Sequence, residues 1–289
     1  MDETNKLIRN GSIFGIIGNI FLFIIKIIIG IISKSQAMIA DSINSATDIF
    51  ASFMTYIGNR ISAHPNDTDH NFGHGKAEYI FTMLISISMI IIAFKLGFDS
   101  IYNIINGNRL IFSWKLIIIC IVTIIVKLLL FLYTKYVYKM TDSILIKSNM
   151  MDHRNDMIIT LFTTISILFT KLDIYFLDGI TGLLISIWIL ITGIKLYRES
   201  YDVLMDKALD DESTKIILSI IKKYHTIKKI GNIYSIPIGY KYVVIITLLV
   251  NGKMTTIKSH EIADNIEKEI KDNIVKIEDV IVHIEPFSK

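Results

Sequence analysis

The chain has 289 residues, 52% of them hydrophobic, and a formal net charge of +3 at pH 7. Its mean hydropathy of +0.52 is high for a soluble domain, and so small a net charge without a basic run argues against nucleic-acid binding. The single cysteine, Cys120, excludes an intramolecular disulfide framework.

Six apolar blocks follow one another, and each has about the 20 residues that a helix needs to cross roughly 30 Å of hydrocarbon. None of the three prolines lies in a block, so each helix can satisfy its own backbone hydrogen bonds in lipid. The first residues carry no cleavage-site pattern, which favours a retained first span over a signal peptide. The predicted spans are residues 13–32, 37–61, 79–105, 114–136, 150–169 and 179–197.

Basic residues are unevenly distributed over the segments that flank these spans. With a cytoplasmic N-terminus, the cytoplasmic flanks carry more Lys and Arg than the opposite flanks. Such a bias favours the side that holds the bases as the cytoplasmic one. We therefore expect a multi-pass protein of the cell membrane, embedded in the lipid bilayer, with both termini in the cytoplasm.

The chain changes character after residue 201, where charged residues become frequent and apolar segments shorten. Residue periodicity predicts a helix at 212–224, strands at 230–238 and 242–250, a helix at 255–271 and a last strand at 280–284, ended by Pro286. This α-β-β-α-β order predicts a small α+β domain, which dimerisation would help to stabilise. We accordingly divide the chain into an all-α transmembrane bundle, 1–205, and a cytoplasmic domain, 206–289.

Two pairs of polar residues fall within the predicted spans, where each charged group costs about 2.5–3.5 kcal/mol on insertion scales. Asn44 and Asp48 lie in the second span, and Asp152 and Asp156 lie at the start of the fifth. Each pair is spaced i, i+4 and therefore projects from one helix face. If the two faces meet, three carboxylates repel one another, and a divalent cation or shared protons must balance them. Alternatively, the fifth-span pair simply precedes its span in the cytoplasm.

Two further groups of polar residues each allow a functional and a non-functional interpretation. Asp67, His70 and His74, between the second and third spans, have spacings that suit a metal-binding turn, although histidines in a polar loop are usually only solvated. Lys26, Lys95 and Lys127 lie within spans. They could act in gating or proton transfer, but snorkelling, or pairing with a neighbouring acid, is the favoured interpretation.

These residues together resemble the cation diffusion facilitator family. The resemblance is carried by residues 72–78 (FGHGKAE), the aspartates of the second and fifth spans, residues 204–209 (LMDKAL) and the α-β-β-α-β tail. It implies a homodimeric efflux carrier driven by proton antiport, with a ferredoxin-like, metallochaperone-like cytoplasmic domain. It also implies three sets of residues: a transport site of Asn44, Asp48, Asp152 and Asp156, a loop site of Asp67, His70 and His74, and a salt bridge between Lys76 and Asp206 that joins the membrane and cytoplasmic parts.

The chain departs from the zinc-type members of that family at the transport site. Those members usually carry a histidine where Asp152 stands, and His153 lies about 100° of helix away from that face, so we leave it out of the set. One Asn and three Asp form an all-oxygen set, which suits manganese, magnesium or calcium better than zinc. The family's manganese branch has this pattern. We expect Mn²⁺ as the transported ion, with Zn²⁺ possible.

The predicted cytoplasmic domain departs from the zinc-type pattern as well. Only His260, His283 and Glu285 match plausible ligand positions, while Gly231 and Thr247 stand where histidines are expected. The resemblance therefore favours a dimerisation domain with weak or no metal binding over one with a full two-metal site.

The sequence predicts a divalent-cation efflux transporter that exchanges metal for protons by alternating access, without an enzymatic activity or a bound cofactor. Two alternatives stay open: a carrier of the same family for Zn²⁺, Fe²⁺ or Co²⁺, and a metal-gated cation channel. A membrane enzyme is disfavoured, because no nucleophile–base set and no nucleotide-binding loop is present in the sequence. Flux that saturates at low metal and depends on a pH gradient would distinguish a carrier from a channel.

Overall fold

A computed structural model describes residues 3–32, 36–106, 114–169 and 176–287. The chain forms two compact units. The first unit consists of six long helices. The second unit combines residues 65–76 with the chain from Asp202 onward.

The helices of the first unit contain 26 to 30 residues each, so each is about 39–45 Å long at ~1.5 Å per residue. Among the described residues, three of them are long and apolar enough to cross a membrane: Glu3–Ile29, Ala77–Tyr102 and Trp114–Thr141. The six helices are α1 (Glu3–Ile32), α2 (Gln36–Ser62), α3 (Ala77–Asn106), α4 (Trp114–Thr141), α5 (Ile144–Phe169) and α6 (Phe176–Leu204).

Polar side chains face the interior of this helical unit, and large apolar side chains face outward. On α2 the buried polar residues recur every three or four positions, which places them on one face of the helix. Phe50 and Phe53, on the other side, are exposed. This reversal of the soluble pattern is what a bundle surrounded by lipid requires. The polar stripe of α2 consists of Ser45, Asp48, Ser52, Thr55 and Asn59.

The start of α5 is fixed by a carboxylate from the first turn of α3. Ser143, immediately before α5, donates a hydrogen bond from its hydroxyl to Glu78, and the backbone N–H of Leu145 donates to the same carboxylate at 3.3 Å. A negative group at a helix N-terminus satisfies free N–H groups and complements the helix dipole. Helix α5 thus begins at Ile144, so Asp152 and Asp156 lie two and three turns inside it rather than ahead of it.

The second unit has the predicted α-β-β-α-β order. The three-stranded sheet has the order β1-β2-β3, with β1 antiparallel and β3 parallel to the central β2, and α8 makes the crossover between the parallel strands. Apolar side chains from α7, β2 and α8, such as Ile217, Ile246 and Ile266, are fully buried between the helices and the sheet. The elements are α7 (Asp211–Lys222), β1 (Ile227–Pro237), β2 (Tyr242–Asn251), α8 (Thr256–Asn273) and β3 (Ile277–Phe287).

The predicted end of the last strand at Pro286 is wrong. Strand β3 continues to Phe287, and Pro286 lies opposite Val250 of β2 in the parallel register. Proline lacks a backbone N–H, but β3 is an edge strand, where one side of the backbone needs no partner strand. The sequence could not indicate this, because it does not show which strand lies at the edge.

Residues 65–76 pack against the turn between β1 and β2. Gly239 in that turn has a φ of +93°, and its backbone approaches Gly75 closely. A Cβ added at Gly75 would lie 3.1 Å from the carbonyl oxygen of Ile238 and 3.3 Å from the Cα of Gly239. Side chains at these positions would force the loop away from the turn. The two glycines therefore allow two backbones to meet directly.

The first turn of α7 offers a test of how this unit responds to acid. The backbone N–H of Ser213 donates to the side chain of Asp210, the N-cap, at 2.8 Å and holds the pKa of that carboxyl below its ordinary value. A lowered folded pKa means that the stabilisation is complete above the unfolded pKa of about 3.9 and is lost as pH falls through the folded pKa. We expect Asp210→Ala to weaken the cap by about 0.5–2 kcal/mol at pH 7.

Hydrogen–deuterium exchange of α7 amides in the full-length protein measures this effect. Asp210→Ala should exchange faster at pH 7, while Asp210→Asn, which can still cap, should stay close to the wild type. The advantage of wild type over Asp210→Ala should shrink as the pH is lowered below 4. An advantage that grew with acid would contradict the assigned role.

Candidate metal centre

Helices α2, α4 and α5 meet around one buried cation, the ammonium of Lys127. Its Nζ lies 2.7 Å from Oδ2 of Asp48 on α2 and 2.5 Å from Oδ2 of Asp156 on α5. The Lys127 side chain is only 1% exposed. Two carboxylates from different helices therefore face each other across a single nitrogen atom.

Asp152 completes a group of three carboxylates. It lies one helical turn before Asp156 on α5, and a ligand atom from each of these residues lies within 4.8 Å of the other. Asp152 is also buried, and the charges of Asp48 and Asp156 both act on it. The ammonium of Lys127 contacts two of these three buried carboxylates, and the charge of a second buried lysine, Lys26 on α1, also acts on Asp156, so this group holds three acids against two bases.

The fourth predicted member of this site is Asn44. It lies in α2, one turn before Asp48, but its side chain is outside the described residues. The structure therefore brings together Asp48, Asp152 and Asp156 and gives no position for the Asn44 side chain.

The sequence interpretation predicted the position of Lys127 only in part. Of the favoured alternatives, pairing with an acid is the one that the structure bears out, whereas snorkelling does not fit a side chain that is almost fully buried. One signal was available: Lys127 lies near the middle of its apolar block, too far from either end for its ammonium to reach water. What the sequence could not show is that its partners are the predicted metal ligands.

His153 lies closer to the carboxylates than the helical-angle estimate suggested. One of its ring nitrogens lies within 4.8 Å of ligand oxygens of both Asp152 and Asp156. The residue is fully buried, and neither ring nitrogen has a hydrogen-bond partner among the described residues. A turn of about 100° separates Cα positions but does not prevent a long side chain from leaning toward a neighbouring face.

The three predicted residues of the loop site lie together in the second unit. His70 Nδ1 is 3.3 Å from Oδ1 of Asp67, and His74 Nε2 is 3.5 Å from Oδ2 of the same residue. The ligand atoms all lie within 4.8 Å of one another. Carboxylate and imidazole groups at this spacing form a plausible ligand set for a transition metal.

Local hydrogen bonds orient this cluster. The backbone N–H of His70 donates to Asp67 at 2.6 Å and lowers the pKa of that exposed carboxyl, which keeps it ionised. His74 Nδ1 lies 3.2 Å from the carbonyl oxygen of Pro65. A carbonyl can only accept, so Nδ1 donates in this contact, and the ring is held with Nε2 on the side of Asp67.

The cytoplasmic-domain candidates form two separate pairs. His260 Nε2 is 3.6 Å from Asp264 on α8, and His283 Nε2 is 3.4 Å from Glu285 on β3. All four side chains are exposed. In the described part of the chain, neither pair belongs to a group of three metal-ligating side chains. His260, His283 and Glu285 are thus not brought to one point.

Lys76 and Asp206 form an ion pair within the second unit, with Nζ 2.7 Å from Oδ1. Asp206 follows the end of α6 with a φ of +55°, in the left-handed region. The backbone N–H of Asp206 donates to Val203 and that of Lys207 to Asp202, the pattern of a Schellman helix end. Glycine is the usual residue at this position, and an aspartate there supplies a carboxylate that glycine lacks.

Two family models cover nearly the whole chain. The model described as the cation efflux transmembrane domain matches residues 12–205, and the model described as the cation efflux protein cytoplasmic domain matches residues 209–287. The first match alone exceeds half of the chain.

Individual proteins are similar over the same length. Manganese efflux system protein MneP of Bacillus subtilis (strain 168) is 27% identical over 99% of this chain and 98% of its own. Cation-efflux pump FieF of Cronobacter sakazakii is 23% identical over 99% of this chain and 95% of its own. Among solved structures, the metal-bound C-terminal domain of the CzcD transporter from Thermotoga maritima is 26% identical, covers 27% of this chain and 91% of that chain, and has a TM-score of 0.26.

The ion pair of Lys76 offers a test in which backbone and charge effects can be separated. Asparagine tolerates the left-handed conformation, so Asp206→Asn should remove the charge and leave the helix end intact. Because both side chains are partly exposed, we expect the pair to contribute less than about 1 kcal/mol to stability. A double-mutant cycle with Lys76→Met, followed by thermal unfolding of the full-length protein, measures the coupling. A coupling of several kcal/mol would mean that the pair is shielded from solvent.

Proposed function

The chain belongs to the cation efflux family, the cation diffusion facilitators, and from that membership we propose that it exports Mn²⁺ from the cytoplasm in exchange for protons. Its family makes it a divalent-cation efflux transporter and not an enzyme. It is a multi-pass membrane protein with a cytoplasmic C-terminal domain, which in this family is a dimerisation domain and implies a homodimer. The identity of the ion, the proton exchange and the site residues are the proposal.

The observation that carries the proposal is the convergence of Asp48 and Asp156 on one buried point. Carboxylates from α2 and α5 approach the same ammonium, and Asp152 lies beside them. Buried charges of like sign need partners of opposite sign, and the two buried lysines that act on this cluster, Lys127 and Lys26, leave one of the three negative charges unbalanced. A divalent cation that took the place of the Lys127 ammonium would supply the missing charge. We propose Asn44, Asp48, Asp152 and Asp156 as the ligands of the transported ion.

Manganese is favoured by the chemistry of these groups. Carboxylate and amide oxygens are hard ligands, which suit Mn²⁺ better than Zn²⁺. The similarity to MneP, whose name describes manganese efflux, agrees with this choice. One observation favours the runner-up: His153 brings a nitrogen within 4.8 Å of two of the carboxylates, and nitrogen ligands suit Zn²⁺, Fe²⁺ and Co²⁺. A zinc, iron or cobalt carrier is therefore the second candidate.

Exchange follows from competition between metal and protons for the same carboxylates. If only the metal-loaded and proton-loaded forms reorient across the membrane, each outward passage of metal is followed by an inward passage of protons. A binding point between α2, α4 and α5 suits such a rearrangement, because its ligands come from different helices. The proposed orientation has both termini in the cytoplasm, so metal enters the site from the cytoplasm.

The second unit has a proposed regulatory or accessory role. Asp67, His70 and His74 would hold a further metal ion at the loop site. His260, His283 and Glu285 lie in two exposed pairs, which favours weak or no binding at those positions. We propose residues 1–205 as the membrane domain and 206–289 as the cytoplasmic domain, with the segment 65–76 serving the latter.

Loss of one ligand tests the transport site. We expect Asp48→Asn to lower Mn²⁺ transport at least about 100-fold, because it removes an anionic ligand while keeping the side-chain volume. Transport is measured with purified protein in vesicles that contain a metal-sensitive dye, with Mn²⁺, Zn²⁺, Fe²⁺ or Co²⁺ outside, with and without a pH gradient. Asp99→Asn, on an exposed position of α3, is the matched control and should transport normally. Wild-type transport by Asp48→Asn would remove Asp48 from the site.

A change of ligand type tests the choice of ion. Asp152→His exchanges an oxygen ligand for a nitrogen ligand, so it should raise the ratio of Zn²⁺ to Mn²⁺ transport by about tenfold or more. The same vesicle assay gives this ratio. If Asp152→His leaves the ratio unchanged while total transport persists, Asp152 does not contact the ion.

A further inference from the structure

We propose that Lys127 is a tethered cation that competes with the transported metal: metal entry displaces its ammonium from Asp48 and Asp156, and the return of the ammonium helps to expel the metal. This competition rests on the proposed function, because it concerns the same carboxylates. It goes further by assigning to α4 a residue that tunes affinity and release without being a ligand.

Geometry and charge together set the ammonium and a metal ion in competition for the same carboxylates. Nζ lies 2.7 Å from Oδ2 of Asp48 and 2.5 Å from Oδ2 of Asp156, so it occupies one oxygen of each of two carboxylates proposed as metal ligands. Two cations that shared the same two oxygens would repel each other strongly in a site with little water to screen them. The Lys127 side chain is 1% exposed, so solvent offers no screening from its side. Binding of metal therefore requires withdrawal of the ammonium.

A lysine can withdraw without any movement of its helix. The charge sits at the end of a flexible four-carbon stem, unlike the short side chains of the aspartates. Thr123, one turn before Lys127 on α4, has a buried hydroxyl with no hydrogen-bond partner among the described residues. Side chains on a helix lean toward its N-terminus, which brings the Thr123 hydroxyl within reach of the stem.

A second acceptor lies on the neighbouring helix α1, which packs against α4. The side-chain oxygen of Asn19 is fully buried and, within the described segments, accepts no hydrogen bond. Both acceptors are neutral, so each would hold the ammonium less firmly than the carboxylates do. An ammonium that moved to either acceptor would still form a hydrogen bond and would be ready to return to the carboxylates.

If Lys127 competes with the metal, removal of its charge should raise the affinity for Mn²⁺ and lower the maximal transport rate. Without the competing ammonium, the carboxylates would hold Mn²⁺ more tightly. Tighter binding slows release, so the maximal transport rate should fall while the half-saturating metal concentration also falls. A residue with only a structural role would weaken binding when replaced, because it would disturb the ligands.

The main experiment compares Lys127→Gln with the wild type. Calorimetric titration of the purified full-length protein with Mn²⁺ should give a Kd at least about tenfold lower for Lys127→Gln, equivalent to about 1.4 kcal/mol. In vesicles, the variant should show a lower half-saturating concentration and a lower maximal rate. Lys95→Gln, which changes an exposed lysine in α3, is the control and should match the wild type in both assays. Unchanged or weaker Mn²⁺ binding by folded Lys127→Gln would overturn the proposal.

Two further measurements keep the test decisive if Lys127→Gln does not fold. Lys127→Arg keeps the charge, and its planar group can bind both carboxylates at once, so we expect weaker Mn²⁺ binding than in the wild type. A structure of the wild-type protein with Mn²⁺ bound should show Nζ withdrawn from Oδ2 of Asp48 and Asp156. Tighter binding by Lys127→Arg, or an ammonium that stays on both oxygens beside the metal, would overturn the proposal.

Asp48→Asn separates failure of this inference from failure of the proposed function. If Asp48→Asn binds Mn²⁺ as the wild type does, the transport site itself is misassigned. If Asp48→Asn loses binding but Lys127→Gln does not tighten it, the site stands and only the role of Lys127 is wrong.

Discussion

Charges buried in a bundle that lipid surrounds must be balanced from within the protein, and this constraint organises the first unit. Asp48, Asp156 and Lys127 come from three helices and meet at one point because each needs the others. Removal of Lys127 would leave the three buried carboxylates with one positive charge fewer to balance them. Two other features serve this balance of buried charges. The polar stripe of α2 turns Asp48 toward Lys127, and the carboxylate cap at the start of α5 fixes where that helix begins and therefore where Asp156 lies.

Length and periodicity were sufficient to predict the helices and the order of elements in the cytoplasmic domain. The i, i+4 spacing of Asp152 and Asp156 correctly indicated a shared face, because spacing within one helix fixes direction. The spacing of residues within one helix does not predict which side chains of different helices touch. Lys127 could be placed at depth in its span from sequence, but its partners depend on which face of α4 meets α2 and α5. His153 was set aside on an angle between Cα positions, whereas the reach of its side chain decides the distance.

The second unit shows a related limit. Residues 65–76 lie between two spans in sequence, yet they pack with the chain that follows Asp202. The family resemblance implied the pair of Lys76 and Asp206, but local signals gave no hint that Gly75 meets Gly239, because these two residues are far apart in the chain. The strand that passes through Pro286 escaped prediction for the same reason: the tolerance for proline depends on its place at the edge of a sheet.

The bridging ammonium also bears on discrimination between ions of different valence. Potassium and sodium would offer the carboxylates one positive charge in place of the one that Lys127 already provides, and the lysine, held by its own backbone, is present at a high effective concentration. Such an exchange gains no electrostatic energy. An ion of charge two gains the attraction of a second charge, so under the proposed competition the lysine would set a threshold that abundant alkali ions do not pass. Selection by valence would then arise from a side chain that never binds the cargo.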